Sequence, residues 1–148
     1  MSSRHTDPVV CRHGRIALAS QPSETDLDRW AGEGVGLVVN SRTPEETAGL
    51  PFDMAEAAAA RGMQYAELPI GGPWGASPEL TVRLGALLES DTERKVVLHC
   101  RSGTRSAHLY AAWLIASGEA PDDPFDTMGW PGARDMAMVR ALLPAHAS

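Results

Sequence analysis

The sequence predicts an α/β fold with a mainly parallel central sheet flanked by helices. Short apolar segments alternate with segments of helical periodicity, which is typical of this class. Residues 35–39 form a continuous apolar run between glycine and asparagine, as in a strand buried on both faces of a parallel sheet. The length of 148 residues fits one compact domain. We therefore expect a single domain over residues 1–148, with residues 1–14 loosely ordered at the N-terminus.

The first half of the chain alternates strands with helices. Residues 15–19 have the apolar character of a first strand. Ser23 and Asp26 have the spacing of a capping box, so a helix begins there and ends near Gly32 or Gly34. The next predicted elements are the strand 35–39, a loop at 40–44, an alanine- and glutamate-rich helix that ends near residues 61–62, and a strand at 64–68.

The second half repeats this alternation. Ser77 followed by Pro78 predicts a helix N-terminus, and Leu80, Leu84 and Leu88 lie on one helical face, together with Leu87. Residues 95–99 are the clearest strand of the sequence. The remaining predicted elements are a helix after residue 105 that extends to 117–118, an irregular segment at 121–130, and a final helix at about 133–143.

The clearest strand leads directly into the loop Cys100-Arg101-Ser102-Gly103-Thr104-Arg105, and a helix follows. Ligands of open α/β folds bind at the carboxyl ends of strands, and a helix N-terminus presents unpaired N–H groups to an anion. Gly103 allows the loop to curl so that its amides point inward. We therefore predict that residues 101–105 bind an anion.

The same loop predicts a reactive thiol at Cys100. A helix N-terminus and a nearby cation lower the pKa of a cysteine thiol, and Arg105 supplies the cation. The planar guanidinium of Arg105 matches two oxygens of a tetrahedral anion. We expect Ser106 to hydrogen-bond the sulfur and ease its departure, and His99 to orient the loop. The alternative is a buried structural cysteine, which leaves the glycine, arginine and serine after it unexplained.

Composition excludes several partner classes. The net charge of −6 disfavours nucleic acid, whose phosphates attract basic surfaces. The polar start of the chain does not resemble a signal peptide, and no stretch approaches the ~20 apolar residues of a membrane helix. Cys11 and His13 alone are too few for a zinc site. We expect a cytoplasmic protein with no metal, cofactor, membrane or nucleic-acid partner, acting on a small anionic or phosphorylated substrate.

The segment from His99 to Ser106 resembles the signature loop of the protein tyrosine and dual-specificity phosphatases, with one residue fewer between Gly103 and Arg105. The shortened loop is similar to that of the bacterial beta-lactamase hydrolase-like phosphatase domains. Residues 19–23, the helix and strand from Leu27 to Val39, and residues 40–42 also look like the opening of that family. The resemblance covers residues 15–117 and implies a dual-specificity phosphatase-type sandwich.

This resemblance implies that Cys100 is a nucleophile, that Arg105 binds the oxyanion, and that Ser106 assists breakdown of a cysteinyl intermediate. Two departures weaken the phosphatase interpretation. A Cys-x4-Arg loop also occurs in rhodanese-like sulfurtransferases. The stretch 69–77, where phosphatases place an aspartate general acid, contains no carboxylate, and Glu79 is the nearest one.

We therefore predict a cysteine-dependent phosphatase with a phosphocysteine intermediate, active on phosphate monoesters such as aryl phosphates. The alternatives are a sulfurtransferase that uses Cys100, and a non-catalytic module that binds anions or phosphoproteins. Arg42 and Trp74 could support the pocket, although a surface arginine and loop packing are the simpler interpretations. Trp130, His108 and Tyr110 are expected to be structural.

Overall fold

A computed structural model describes residues 7–71, 75–120 and 122–144. Its sheet has five strands in the order β1-β2-β5-β3-β4, in which β1 is antiparallel to β2 and the other neighbours are parallel. This architecture confirms the predicted α/β class. The strands are β1 (Val9–His13), β2 (Ile16–Ala19), β3 (Val35–Asn40), β4 (Gln64–Glu67) and β5 (Lys95–His99).

Helices cover both faces of the sheet. Their bounds are α1 (Glu24–Gly32), α2 (Pro44–Ala48), α3 (Met54–Ala60), α4 (Pro78–Ser90), α5 (Thr104–Ser117), α6 (Pro124–Met128) and α7 (Met136–Leu142). One core contains buried side chains of α4, α5, α6 and α7. A second core, on the opposite face, contains Leu27 and Trp30 of α1 and Met54 of α3. In the described part of the chain, none of these helices is long and apolar enough to cross a membrane.

The central strands are buried because their side chains meet helices on both faces. Every residue of β2 and β3 is buried, as are Val96–His99 of β5. Ser23 and Asp26 form the predicted capping box at α1. Ser77 occupies the N-cap position of α4 as expected, but its side chain makes no capping hydrogen bond.

Three sequence predictions need correction. Residues 1–14 were expected to be loosely ordered, whereas Val9–His13 form β1, paired with β2 across a turn at Gly14. The alanine- and glutamate-rich segment forms two short helices, α2 and α3, instead of one. The segment 121–130 contains α6, which begins because the Asp123 side chain accepts hydrogen bonds from the amides of Phe125 and Asp126.

Candidate active site

The predicted Cys100 loop lies at the edge of the sheet where the parallel strands have their carboxyl ends. Ala19 and Asn40, the last residues of β2 and β3, are both in register with His99 at the end of β5. Because these strand ends are level, the segments that follow them lie side by side. The segments that meet here are 20–21 after β2, 41–42 after β3, 68–71 after β4 and 100–105 after β5.

Cys100 lies at the base of this edge. Its side chain is buried, and its Sγ accepts a hydrogen bond of 3.1 Å from the backbone N–H of Gly103. The hydrogen bonds that Arg105 donates to Glu46 raise the pKa of its guanidinium most, and the neighbouring Cys100 raises that pKa further. The sulfur is therefore held by polar groups and faces a cation, as an ionised nucleophile requires.

Several other backbone amides of the Cys100 loop are unpaired. Within the described residues, the N–H groups of the rest of the loop and of the first three residues of α5 donate to no protein acceptor. Donors in this arrangement are what an oxyanion binds at a helix N-terminus. The amides concerned are those of Arg101, Ser102, Thr104, Arg105 and Ser106.

Gly103 gives the loop its shape. Its φ of +95° lies in the left-handed region that favours glycine, and it is the N-cap residue of α5. A Cβ at this position would lie 3.2 Å from Cη2 of the buried Trp130 ring and 3.3 Å from the carbonyl oxygen of Ala19. Trp130 thus packs under the loop, in agreement with its predicted structural role.

Arg105 is fixed by a carboxylate that sequence reasoning missed. Its Nη1 and Nη2 donate to the two carboxylate oxygens of Glu46, at 2.8 and 3.0 Å, and Nη1 also donates to the carbonyl of Ile70 at 2.7 Å. Gly71 lies against the same guanidinium: a Cβ there would come within 3.2 Å of Nη1. The side chain is therefore oriented in the absence of substrate.

Glu46 is itself held by the start of α2. Its Oε1 accepts a hydrogen bond of 2.8 Å from the N–H of Thr43, which completes a capping box. The hydrogen bonds from Arg105, followed by the one from Thr43, lower the pKa of Glu46 to about 2. The Thr43-x-x-Glu46 spacing is a helix-start signal that was available in the sequence, although nothing local indicates the pairing with Arg105.

His99, predicted as a supporting residue, and Ser106, predicted as a catalytic residue, are both buried. Nδ1 of His99 lies 3.4 Å from the carbonyl oxygen of Cys100, at the long end of the hydrogen-bonding range, so any orienting bond is weak. Burial lowers the pKa of His99 to about 4, so the ring is neutral at pH 7. The expected bond from Ser106 to the sulfur is absent, because within the described structure Ser106 Oγ is buried without a partner.

Arg42 is not the ordinary surface arginine that was the simpler expectation. It is half-buried, its backbone N–H is fixed by the Asn40 side chain, and its Nη1 donates to Gln21 Oε1 at 2.9 Å. The backbone N–H of Gln21 in turn donates to the carbonyl of Arg101, at 3.2 Å. Arg42 is thus linked to the Cys100 loop.

The other predicted residues have simpler surroundings. Arg101 is exposed at the rim, where the hydroxyls of Ser102 and Thr104 lie 3.0 Å apart. Trp74 lies outside the described residues. His108 is structural: its Nδ1 lies 2.7 Å from the carbonyl of Thr104, and its Nε2 accepts from the N–H of Asp135. No group of three or more His, Cys, Asp or Glu side chains in the described residues could hold a metal ion.

A known family matches this chain over the Cys100 loop and most of the chain's length. A family model described as beta-lactamase hydrolase-like protein, phosphatase-like domain, matches residues 11–117. A beta-lactamase hydrolase-like protein of Xylella fastidiosa (strain Temecula1) is 31% identical over 141 residues, which are 94% of this chain and 32% of that protein. One from Agrobacterium fabrum is 33% identical over 117 residues, 78% of this chain and 27% of that protein. The chain thus spans about a third of the length of these relatives.

Solved structures share the fold. A candidate phosphatase of Shewanella putrefaciens CN-32 superposes with a TM-score of 0.74 at 18% identity, covering 91% of this chain and 90% of that one. A kinase associated phosphatase, whose catalytic-site cysteine is replaced by serine, gives a TM-score of 0.70 at 16% identity over 93% and 94% of the two chains. The predicted phosphatase-type sandwich is therefore confirmed.

Proposed function

We propose that this chain, which belongs to the family of beta-lactamase hydrolase-like phosphatase domains, is a cysteine-dependent phosphatase that hydrolyses phosphate monoesters through a phosphocysteine intermediate. Cys100 is the nucleophile in this proposal. Arg105 and the amides of residues 101–106 bind the equatorial phosphate oxygens. The fold of the phosphatases that the chain resembles supports the reaction class.

One observation carries the proposal. The sulfur of Cys100 accepts the Gly103 N–H, and the guanidinium of Arg105, in the same loop, is already oriented by Glu46. A charge-stabilising site catalyses best when its donors need no rearrangement as the reaction proceeds. Apart from Gly103, whose N–H donates to the sulfur, the amides of residues 101–106 have no acceptor among the described residues and are available to an oxyanion.

The chemistry has two steps. The Cys100 thiolate attacks phosphorus, an S–P bond forms, and the P–O bond to the leaving group breaks with its electron pair on the departing oxygen. Water then attacks phosphorus and breaks the S–P bond. Inorganic phosphate is released, a proton passes to solvent, and the thiolate is restored.

Substrate choice follows from the carboxylates near the loop. Glu46 is ionised at neutral pH because its pKa is about 2, so it cannot donate a proton to the leaving group. The stretch 69–77 has no carboxylate. Because general acid catalysis is worth ~10²–10⁴-fold, alkyl phosphates should react far more slowly than aryl phosphates, whose leaving groups need no proton.

Sulfur transfer is the second candidate, and the same missing acid favours it together with the shorter loop. The Cys100 thiolate would attack the outer sulfur of thiosulfate, the S–S bond would break, and sulfite would leave unprotonated. A thiol or cyanide acceptor would then remove the sulfur from the Cys100 persulfide. A purely anion-binding role is the third possibility, and it predicts neither activity.

The deciding experiment measures phosphate release from p-nitrophenyl phosphate and thiocyanate formation from thiosulfate and cyanide, with wild type and Cys100→Ser. We expect p-nitrophenyl phosphate hydrolysis that Cys100→Ser abolishes. Cys11→Ser is the matched control, since Cys11 lies on β1 outside the loop and should retain the activity.

The outcomes separate the candidates. Thiocyanate formation without phosphate release, accompanied by a mass increase of about 32 Da on Cys100 after thiosulfate, would replace the phosphatase with the sulfurtransferase. Anion binding without either activity would support the non-catalytic anion-binding module and contradict both enzymatic candidates. If kcat/KM for a series of aryl phosphates does not depend on the pKa of the leaving group, that result would contradict the absence of a general acid.

A further inference from the structure

Arg42 is a half-buried cation with no counter-ion among the described residues. Its Nε is buried without a hydrogen-bond partner among the described residues, and no described carboxylate lies within ion-pairing distance. Five other guanidiniums are paired with carboxylates, namely those of Arg29, Arg61, Arg94, Arg105 and Arg134. Arg15 is also half-buried without a carboxylate, but it donates to two backbone carbonyls, whereas Arg42 has a buried nitrogen without a partner among the described residues. Removing a charge from water without a partner is unfavourable, so an uncompensated cation at this depth needs an explanation.

The position of Arg42 suggests the explanation. Gln21 accepts from its Nη1 and donates its own backbone N–H to Arg101, the residue after the nucleophile. The charge of Arg42 also acts on the buried His99, the residue before the nucleophile. The guanidinium is therefore held beside the catalytic loop, next to the anion site but outside the group of amide donors of the Cys100 loop.

We propose that Arg42, held by Gln21 and assisted by the exposed Arg101, binds a second anionic group of the substrate, so that the preferred substrates carry two anionic groups close together. This inference rests on the proposed function, because it requires the first oxyanion to bind at Cys100. The ligand class is a phosphate ester with a neighbouring phosphate or carboxylate.

The two arginines have different tasks in this proposal. Both terminal nitrogens of Arg105 are engaged by Glu46, and Arg105 binds the reacting phosphoryl group. Within the part of the chain that the structure describes, the Arg42 guanidinium has only its Nη1 engaged, by a neutral amide that leaves its charge uncompensated. A bound anion would supply the missing charge and accept from the free guanidinium N–H groups, as arginine does with phosphate and carboxylate.

Binding of inorganic anions tests the proposal without turnover. On the Cys100→Ser background, affinities for phosphate, pyrophosphate and tripolyphosphate are measured by calorimetry, with and without Arg42→Gln. We expect pyrophosphate or tripolyphosphate to bind about tenfold more tightly than phosphate, equivalent to about 1.4 kcal/mol. Arg42→Gln should abolish that preference and change phosphate affinity by less than about twofold, whereas Arg42→Lys should retain part of it.

Arg83→Gln is the matched control, because it removes one positive charge from an exposed position on α4 and should keep the preference. Equal affinity for all three anions in the parent, or a preference that survives Arg42→Gln, would overturn the second site. Failure of phosphate itself to bind would contradict the proposed function instead. Circular dichroism establishes whether each variant is folded. If Arg42→Gln does not fold, the comparison is made with Arg42→Lys.

Discussion

Glu46 determines the orientation of Arg105 before any substrate binds. Both carboxylate oxygens bind the guanidinium, and the Thr43 N–H also donates to Oε1 and fixes the carboxylate. A free arginine side chain would lose rotameric freedom on binding an oxyanion, at a cost of up to about 2 kcal/mol. Because Glu46 restricts the Arg105 side chain before substrate binds, much of that cost is removed. We therefore regard Glu46 as a positioning residue for Arg105.

Glu46→Gln tests this positioning role. The amide offers only one oxygen acceptor to Arg105 and no charge, and charge-assisted hydrogen bonds are worth about 1.5–3 kcal/mol. We expect kcat/KM for p-nitrophenyl phosphate to fall about ten- to hundredfold. The rate of Cys100 alkylation by iodoacetamide should change much less, because the Gly103 N–H to sulfur bond remains.

Glu45→Gln is the control for charge removal from α2, since Glu45 is exposed and next in sequence. Equal losses in both variants would indicate a general electrostatic effect and would contradict the positioning role. An unchanged kcat/KM in Glu46→Gln would contradict it as well.

The residues of the loop could be predicted from sequence, whereas their partners could not. Cys100, Gly103 and Arg105 lie within one short segment whose spacing indicates an anion site. Glu46 is 59 positions from Arg105, and that pairing exists only because β3 and β5 end at the same edge. Sequence patterns report local geometry, so contacts made by the fold stay hidden.

At the scale of elements, the turn from β5 into α5 depends on Gly103. The φ of +95° is unfavourable for residues with a Cβ, and the Trp130 ring leaves little room for one. The close approach of Trp130 therefore links the loop conformation to the packing of the segment after α6. A change at Gly103 should affect both stability and chemistry.

Gly103→Ala and Gly118→Ala separate these effects. Both glycines have positive φ at a terminus of α5, but a Cβ at Gly118 would meet nothing within 4 Å. We expect Gly118→Ala to lower the free energy of unfolding by about 1 kcal/mol and to keep activity. Gly103→Ala should cost about 2–3 kcal/mol, because the ring must also move, and should abolish most activity. Urea unfolding and turnover measurements check both, and equal effects of the two would contradict the close-packing argument.

The elements that sequence patterns missed have weak signals for physical reasons. β1 alternates half-buried and exposed residues that include Arg12 and His13, so its hydrophobicity is low even though it pairs with β2. α6 is five residues long and begins at Pro124, so its length resembles that of a turn. The buried strands were predictable because burial on two faces requires continuous apolar sequence.

At the scale of the molecule, the sheet order assembles the candidate site from four segments that are far apart in the chain. β5 lies between β2 and β3, so the Cys100 loop is flanked by Gln21 on one side and by Ser41 and Arg42 on the other. A buried neutral histidine lies directly behind this assembly. The location of His99 at the centre of the sheet connects the stability of the whole fold to pH.

The acid dependence of stability is the resulting prediction. The pKa of His99 is about 4 in the folded protein and near 6.5 in an unfolded chain, so the unfolded state binds the proton more readily. The unfolding free energy should therefore fall as pH drops from about 6.5 to 4, by on the order of 3 kcal/mol. For Glu46 the folded pKa is lowered from 4.5 to about 2, so its contribution is present above pH 4.5 and is lost between there and about pH 2.

Urea unfolding between pH 7.5 and pH 3 distinguishes the two groups. His99→Gln is expected to be less stable than wild type at pH 7.5, because the ring fills a fully buried site, but to lose much less stability between pH 6.5 and 4. Glu46→Gln should retain the wild-type loss in that upper range and show a smaller loss below pH 4.5. If the free energies of unfolding of wild type and His99→Gln fall in parallel from pH 6.5 to 4, a group other than His99 causes the loss of stability in acid.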